Sequence, residues 1–295
     1  MIRRPPRSTQ SRSSAASDVY KRQSVHSANF SDTLRQAKKG NASAQASLAS
    51  MYANREGGQM NDEAAVRWYT KSAQQGYAEA QSNLGVMYDL GRGVKENDET
   101  AVFWYKKAAE QGNAVAQGNL GIKLDQGLGV PKNDKSAALW YAKAAYQGLA
   151  SAQTNLGLMY EHGRGVPQNY KTAIMWYSKA AEQDYAEAQS NLGIMYDHGR
   201  GISEDNEAAV LWYTKAAQQG YVDAQVNLGF MSANGEGLEK NEANAYLWWS
   251  LAKAGGNKLG KINLEELVAV ITPQEIERAQ AIAATCYESG YKDCN

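Results

Sequence analysis

The sequence predicts an all-α protein, a solenoid built from 36-residue helix-turn-helix repeats. Three observations predict it. The segment GYAEAQSNLGVMYDLGRGVKENDETAVFWYKKAAEQ, residues 76–111, fits again when shifted by 36 residues, without insertions. A junction residue recurs at Gly40, Gly76, Gly112, Gly148, Asp184, Gly220 and Gly256. A tryptophan recurs at Trp68, Trp104, Trp140, Trp176, Trp212 and Trp248. A fixed period in this range marks units that bury their apolar faces only against their neighbours. Six such units occupy residues 40–255.

The first half of a unit reads as a helix. Ala80, Leu84, Met87 and Tyr88 fall at i, i+4, i+7 and i+8, one apolar stripe. Gly85 recurs as Gly121, Gly157, Gly193 and Gly229. A mid-helix glycine costs about 1 kcal/mol against alanine, so its return predicts a close approach of two helices. A Gly-x-Gly turn then ends the helix, from Gly91/Gly93 to Gly235/Gly237. The first repeat has Arg55, Gly57 and Gly58 instead, which predicts a different turn. Phosphate loops also carry Gly-x-Gly, but no strand precedes these glycines and no Gly-Lys-Ser/Thr follows them.

The second helix starts at Asn97-Asp98, a capping pair. Its stripe is Ala101, Trp104, Tyr105, Ala108 and Ala109. Lys107 and its equivalents Lys71, Lys143, Lys179 and Lys215 lie near helix C-termini, where a cation complements the dipole. The spaced tryptophans read as core residues sealing one repeat against the next. Trp249, beside Trp248, reads as the surface one.

These residues resemble the Sel-1-like repeat (SLR) family, relatives of the tetratricopeptide repeats. The motif is A-x-A-Q-x-N-L-G-x-M-Y, then G-x-G-V, then A-x-x-W-Y-x-K-A-A-x-Q-G. Ala78 to Tyr88, Gly91 to Val94 and Ala101 to Gly112 match it position by position. The resemblance implies a right-handed α/α superhelix that serves as a noncatalytic adaptor, often in exported bacterial proteins. It also implies a groove on the concave face, lined by the first helices. In one repeat the groove positions are Glu79, Ser82, Asn83, Val86 and Asp89. Across repeats an apolar line follows: Val86, Ile122, Leu158, Ile194 and Phe230. Asp89, Asp125, Glu161 and Asp197 form a parallel acidic line, and Asn83, Asn119, Asn155, Asn191 and Asn227 an amide line. Such a surface suits a basic, amphipathic protein or peptide segment. The bland alternatives are packing for the asparagines and a solvated face for the carboxylates.

Residues 1–23 resemble translated sequencing-adapter read-through; the alternatives are a disordered basic tail or an Arg/Ser-rich transit peptide. They carry Arg3, Arg4, Arg7, Arg12, Lys21 and Arg22 against Asp18. The whole chain has 31 basic and 31 acidic residues, so the remainder is mildly acidic, with 25 against 30. That balance argues against a nucleic-acid partner. A signal peptide upstream would be missing from such a chain. In residues 24–39, Ser31 caps a short helix with Leu34 and Ala37 inward, covering the open end of the stack.

Residues 256–295 form the C-terminal cap. Asn257 to Ile271 offers a helix with Leu264, Leu267 and Val268 inward. Thr272-Pro273-Gln274-Glu275 is a capping box with proline at the first helical position. Ile276, Ala279, Ile282, Ala283 and Cys286 line one face of the helix that follows.

The two cysteines, Cys286 and Cys294, lack the partners of a zinc site. Cysteine-rich SLR proteins use the same C-x7-C spacing within their repeats. The resemblance therefore implies a Cys286–Cys294 disulfide, worth roughly 2–3 kcal/mol by loop closure. A disulfide would place the protein in the periplasm or outside the cell; two free cytosolic thiols are the alternative.

No apolar run is long enough to span a membrane. His162 and His198 recur one unit apart and read as loop residues rather than a metal site. No catalytic, cofactor or metal residues are expected. Some cysteine-rich relatives are linked with β-lactam binding or hydrolysis, but the Ser-x-x-Lys, Gly-x-Ser-x-Gly and His-Glu-x-x-His arrangements are missing here. A cell-wall carbohydrate binder is the other competing reading, because aromatic and amide groups suit sugars.

Overall fold

The computed structural model describes residues 30–54 and 60–289. The adapter-like segment 1–23, the turn with Arg55, Gly57 and Gly58, and Cys294 lie outside the described residues. Among the described residues every regular element is an α-helix. They fall into two compact units that divide between Asn133 and Asp134.

The first unit holds α1 (30–38), α2 (Ala42–Ala53), α3 (Asp62–Gln74), α4 (Ala78–Asp89), α5 (Asp98–Glu110) and α6 (Ala114–Gln126). The second holds α7 (Asp134–Tyr146), α8 (Ala150–His162), α9 (Tyr170–Ala181), α10 (Ala186–Asp197), α11 (Asn206–Gln218), α12 (Val222–Asn234) and α13 (Glu242–Ala254). It closes with α14 (Lys258–Val268) and α15 (Pro273–Glu288). In each unit a first helix packs on its own second helix, and that helix packs on the next first helix, the connectivity of a solenoid.

Local chemistry sets each boundary. Asn97 caps α5, its Oδ1 accepting from the Thr100 N–H at 2.8 Å. Asn61, Asn169, Asp205 and Asn241 do the same for α3, α9, α11 and α13. The junction residues adopt positive φ, including Asp184 at 58° in place of glycine. The second turn glycine has a further task. A Cβ on Gly93 would run into the backbone of Asp62 at the start of α3, one repeat back. Gly165 sits the same way on Asp134, and Gly237 on Asn206. The turn thus doubles as a contact between repeats.

The core corrects one expectation. The largest fully buried side chains are tyrosines, Tyr105, Tyr141, Tyr177 and Tyr213. Trp68, Trp104, Trp140 and Trp212 are only half-buried, while Trp176 and Trp248 are buried. Trp249 is not a surface residue. It occupies the tyrosine position, 5% exposed, its indole N–H donating to the Val226 carbonyl at 3.1 Å. The tyrosine explains the helical glycine. A Cβ on Gly85 would lie 2.6 Å from the Tyr105 ring, and Gly193 and Tyr213 repeat the arrangement at 2.7 Å. Gly229 receives Trp249 instead.

A buried amide ladder also joins repeats. Gln81 donates to the Ala73 carbonyl of the preceding repeat at 3.1 Å and accepts from Gln111 at 2.7 Å. Gln153 and Gln189 repeat the pattern. Buried amides are tolerated because both ends are bonded.

At the ends, α1 already runs through Ser31, so Ser31 is not its cap, although Ala37 is buried as expected. The capping box is formed, with Glu275 Oε2 accepting from the Thr272 N–H at 2.7 Å. Leu264 and Leu267 face inward, but Val268 is exposed. Ala279 and Cys286 are fully buried; Ile282 and Ala283 pack on the core cluster that holds Cys286, and Ile276 on the one that holds Ala279.

Candidate functional site

The predicted groove residues lie on α4, α6, α8, α10 and α12, the first helices. Four of them converge on a cleft of about 390 Å³ in the second unit. Ile194 and Asp197 come from α10, and Asn227 and Phe230 from α12, where Met231 and Asn234 share their face. Tyr213 of α11 closes the floor, and His198 and Glu236 stand at the rim. Phe230 is 40% exposed and meets Trp249 edge-on at 5.5 Å. His198 is the C-cap of α10 and His162 the last residue of α8, so both sit at helix ends rather than in loops.

The carboxylates are engaged within the fold. The Tyr213 hydroxyl donates to Asp197 Oδ2 at 3.2 Å, and Tyr105 donates to Asp89 Oδ2 at 3.0 Å. Tyr177 donates to Glu161 Oε2 at 2.7 Å, while Arg200 of the next repeat reaches Glu161 Oε1 at 3.1 Å. Glu161 is 7% exposed, so this member of the acidic line lies in the core. Asp125 stands 3.9 Å from Lys132. Burial pushes the Tyr105, Tyr177 and Tyr213 hydroxyls well up, and the adjacent carboxylates push them further.

The amide line is likewise turned toward these tyrosines. Asn83, Asn119 and Asn227 approach the hydroxyls of Tyr69, Tyr105 and Tyr213, each one repeat earlier, and ease their ionisation. Ser82 is buried and faces no groove. Glu79 is exposed, and Val86, Ile122, Asn155 and Leu158 are half-buried. Leu158 and Ile194 rest partly against the core clusters beneath them, so neither projects wholly away from the core.

One polar group escaped the sequence reading. Lys123 of α6 occupies the position held by Met87, Met159, Met195 and Met231 in other repeats, and it is 5% exposed. It bonds both Asp89 and Asp98. Burial works to lower its ammonium, and the two carboxylate bonds outweigh that, so it is raised. The break in an otherwise apolar column was the available signal.

The family model of the Sel1 repeat matches residues 42–77, 78–113, 114–149, 150–185, 186–221 and 222–257. A Sel1 repeat protein from Oxalobacter formigenes is similar in structure, with a TM-score of 0.69 and 34% identity over 76% of this chain and 96% of that one. A protective antigen present in uropathogenic Escherichia coli strains, displaying an SLR fold, matches with a TM-score of 0.61 and 29% identity. That match covers 89% of this chain and 65% of that one, so the chain spans less than two thirds of the antigen. No curated protein sequence matches this one.

Proposed function

The chain belongs to the Sel1 repeat family, and from that premise we propose that it is a noncatalytic scaffold binding a protein or peptide along its first helices. Sel1 repeat proteins are generally protein-protein interaction scaffolds, and the fold is typically non-enzymatic. The observation that carries the reading is the cleft between α10 and α12, where exposed Phe230 and half-buried Ile194 stand beside Asp197, Asn227 and Glu236. Apolar anchors with acidic neighbours favour a partner segment that is apolar and basic. The remaining first-helix positions, such as Val86, Ile122 and Leu158, would extend that track within their own units.

The test is capture of a partner from the native host, followed by binding measurements on Phe230→Ala. We expect the affinity to fall about tenfold or more, as for a central aromatic anchor, with the helical circular dichroism kept. Unchanged affinity with the fold intact removes the cleft from the binding site.

Export to an oxidising compartment belongs to the same proposal, and it rests on pairing of Cys286 with Cys294. No helix among the described residues is long and apolar enough to cross a membrane. Thiol alkylation and intact-mass analysis of protein from the native host should find neither cysteine modified. Two alkylated cysteines would overturn the pairing.

A further inference from the structure

The second helices of the second unit carry a surface of the opposite character. On α7, Lys135, Leu139, Lys143 and Tyr146 fall at i, i+4, i+8 and i+11, one face. The same face of α9 presents Lys171, Met175 and Lys179, and that of α11 presents Glu207, Leu211 and Lys215. Leu139, Met175 and Leu211 are 56%, 43% and 54% exposed. Single exposed apolar residues are ordinary, but a row repeated in register is a patch.

The row is continuous. The exposed Tyr146 ring of α7 meets Trp176 of α9 edge-on at 5.1 Å. Trp212 of α11 packs on the core cluster that holds Ala173 and Tyr177 of α9. Beneath the row three tryptophans, half-buried at Trp140 and Trp212 and buried at Trp176, hold three of the lysines in place. Lys143, Lys179 and Lys215 lie over the Trp140, Trp176 and Trp212 rings at 4.1, 4.7 and 4.3 Å. A ring beneath an ammonium fixes its position while leaving its outer donors to solvent.

We propose that this row is a second docking surface, separate from the cleft, for an acidic amphipathic segment of a partner protein. Charge complementarity carries the choice. Five exposed lysines, at positions 135, 143, 171, 179 and 215, form no ion pair among the described residues. Glu207, and Glu182 just beyond α9, are the acidic groups on the face. The surface is thus net positive on a chain whose residues 24–295 are net acidic. Glu182 and Glu207 break the positive field at fixed places. A peptide can match that pattern with a cation of its own, whereas a uniformly anionic membrane surface cannot. Leu139, Met175 and Leu211, spaced one per repeat, suit separate apolar anchors rather than a continuous hydrocarbon layer.

The experiment selects binders for the full chain from a phage-displayed library of random peptides. Selected peptides are then measured by fluorescence anisotropy against three variants. We expect a class rich in Asp, Glu and Leu whose binding falls at least about tenfold, or 1.4 kcal/mol, in Leu139→Ser/Met175→Ser/Leu211→Ser. It should fall similarly in Lys135→Glu/Lys171→Glu, weaken as salt is raised, and be unchanged in Phe230→Ala. The substituted side chains are exposed, so circular dichroism should match the parent. The proposal is overturned if no selected peptide loses affinity in the triple variant, or if the affected peptides are basic. It is also overturned if the triple variant abolishes only binding to phosphatidylserine vesicles, or only a concentration-dependent self-association seen by sedimentation. Failure of the cleft reading would appear separately, as the absence of any selected peptide, of whatever class, that loses affinity in Phe230→Ala.

Discussion

Removing one hydroxyl at two equivalent positions, Tyr177→Phe and Tyr213→Phe, tests how the acidic line is used. Both rings are fully buried and pack on a helical glycine, Gly157 or Gly193, so phenylalanine keeps the ring contact in each. The acceptors differ. Glu161 is 8% exposed at its side chain and receives the Tyr177 hydroxyl at 2.7 Å. Asp197 is 21% exposed and receives the Tyr213 hydroxyl at 3.2 Å. A hydrogen bond to a charged group contributes about 1.5–3 kcal/mol, and stranding a buried acceptor costs more than stranding a wet one. Tyr177→Phe should therefore cost about 2–3 kcal/mol, with Arg200 still holding the other Glu161 oxygen. Tyr213→Phe should cost about 1 kcal/mol, because water can replace the donor at Asp197. The assay is urea unfolding followed by circular dichroism, fitted with a nearest-neighbour repeat model, since stacked repeats need not unfold in two states. Equal losses, or a larger loss at Tyr213, would refute the claim that burial of the acceptor sets the cost.

Three further outcomes follow from the packing. Burial and neighbouring carboxylates raise Tyr105, Tyr177 and Tyr213 above the ordinary 10.0, so their stabilisation is full below that pH and is lost as pH rises through the folded values; ultraviolet titration should show tyrosinate from these residues appearing together with loss of helix, and their ionisation in a fully helical protein would contradict it. Gly193→Ala gains about 1 kcal/mol of helix propensity but places a Cβ 2.7 Å from the Tyr213 ring; overpacking costs about 1–3 kcal/mol, so thermal melting should show a neutral or destabilised protein, and a clear rise in Tm would refute the contact. Lys123→Met restores the side chain of the other repeats, and Asp89 and Asp98 are 26% and 31% exposed and can rehydrate; stability should stay within about 1 kcal/mol of the parent or rise, whereas a loss above about 3 kcal/mol would show that the buried ion pair is a net stabiliser.

The repeat was legible because its punctuation is chemical. Glycines at positive φ, asparagine caps and a 36-residue period each force a local conformation, and together they set the helix boundaries. Which of two adjacent aromatics faces inward was not legible from the stripe. Trp104 and Tyr105 both fit a broad apolar face, and only the close approach to Gly85 decides for the tyrosine. Trp249 was misplaced for the same reason, although a 36-residue shift from Tyr213 lands on it. The cleft residues Ile194, Asp197, Asn227 and Phe230 were legible from the family resemblance, which implies a groove along the first helices, and from the 36-residue period, which carries those positions from one repeat to the next. Their internal bonds were not, because the Tyr donors come from another helix and Arg200 from another repeat. The exposed row of Leu139, Met175 and Leu211 was visible at the position before each tryptophan. An apolar residue there simply widens the stripe, so the sequence alone does not mark it as surface.

Charge in the second unit is therefore distributed in two ways, and binding should feel the difference. On the first helices, Glu161 and Asp197 accept from buried tyrosines, and Arg200 pairs with Glu161. Their fields are partly cancelled before any partner arrives. Recognition at the cleft should depend more on Phe230 and Ile194 than on the acidic line, and should be only weakly sensitive to salt. On the second helices the exposed lysines of the row pair with no carboxylate among the described residues, and Lys143, Lys179 and Lys215 rest on tryptophan faces, so their charge is directed outward. Charges of that kind chiefly raise the rate of encounter. A partner of the lysine row should thus associate more slowly as salt rises, while a partner of the cleft should change mainly in its dissociation rate when Phe230 is altered. The two surfaces can be told apart by kinetics alone, even when one protein touches both.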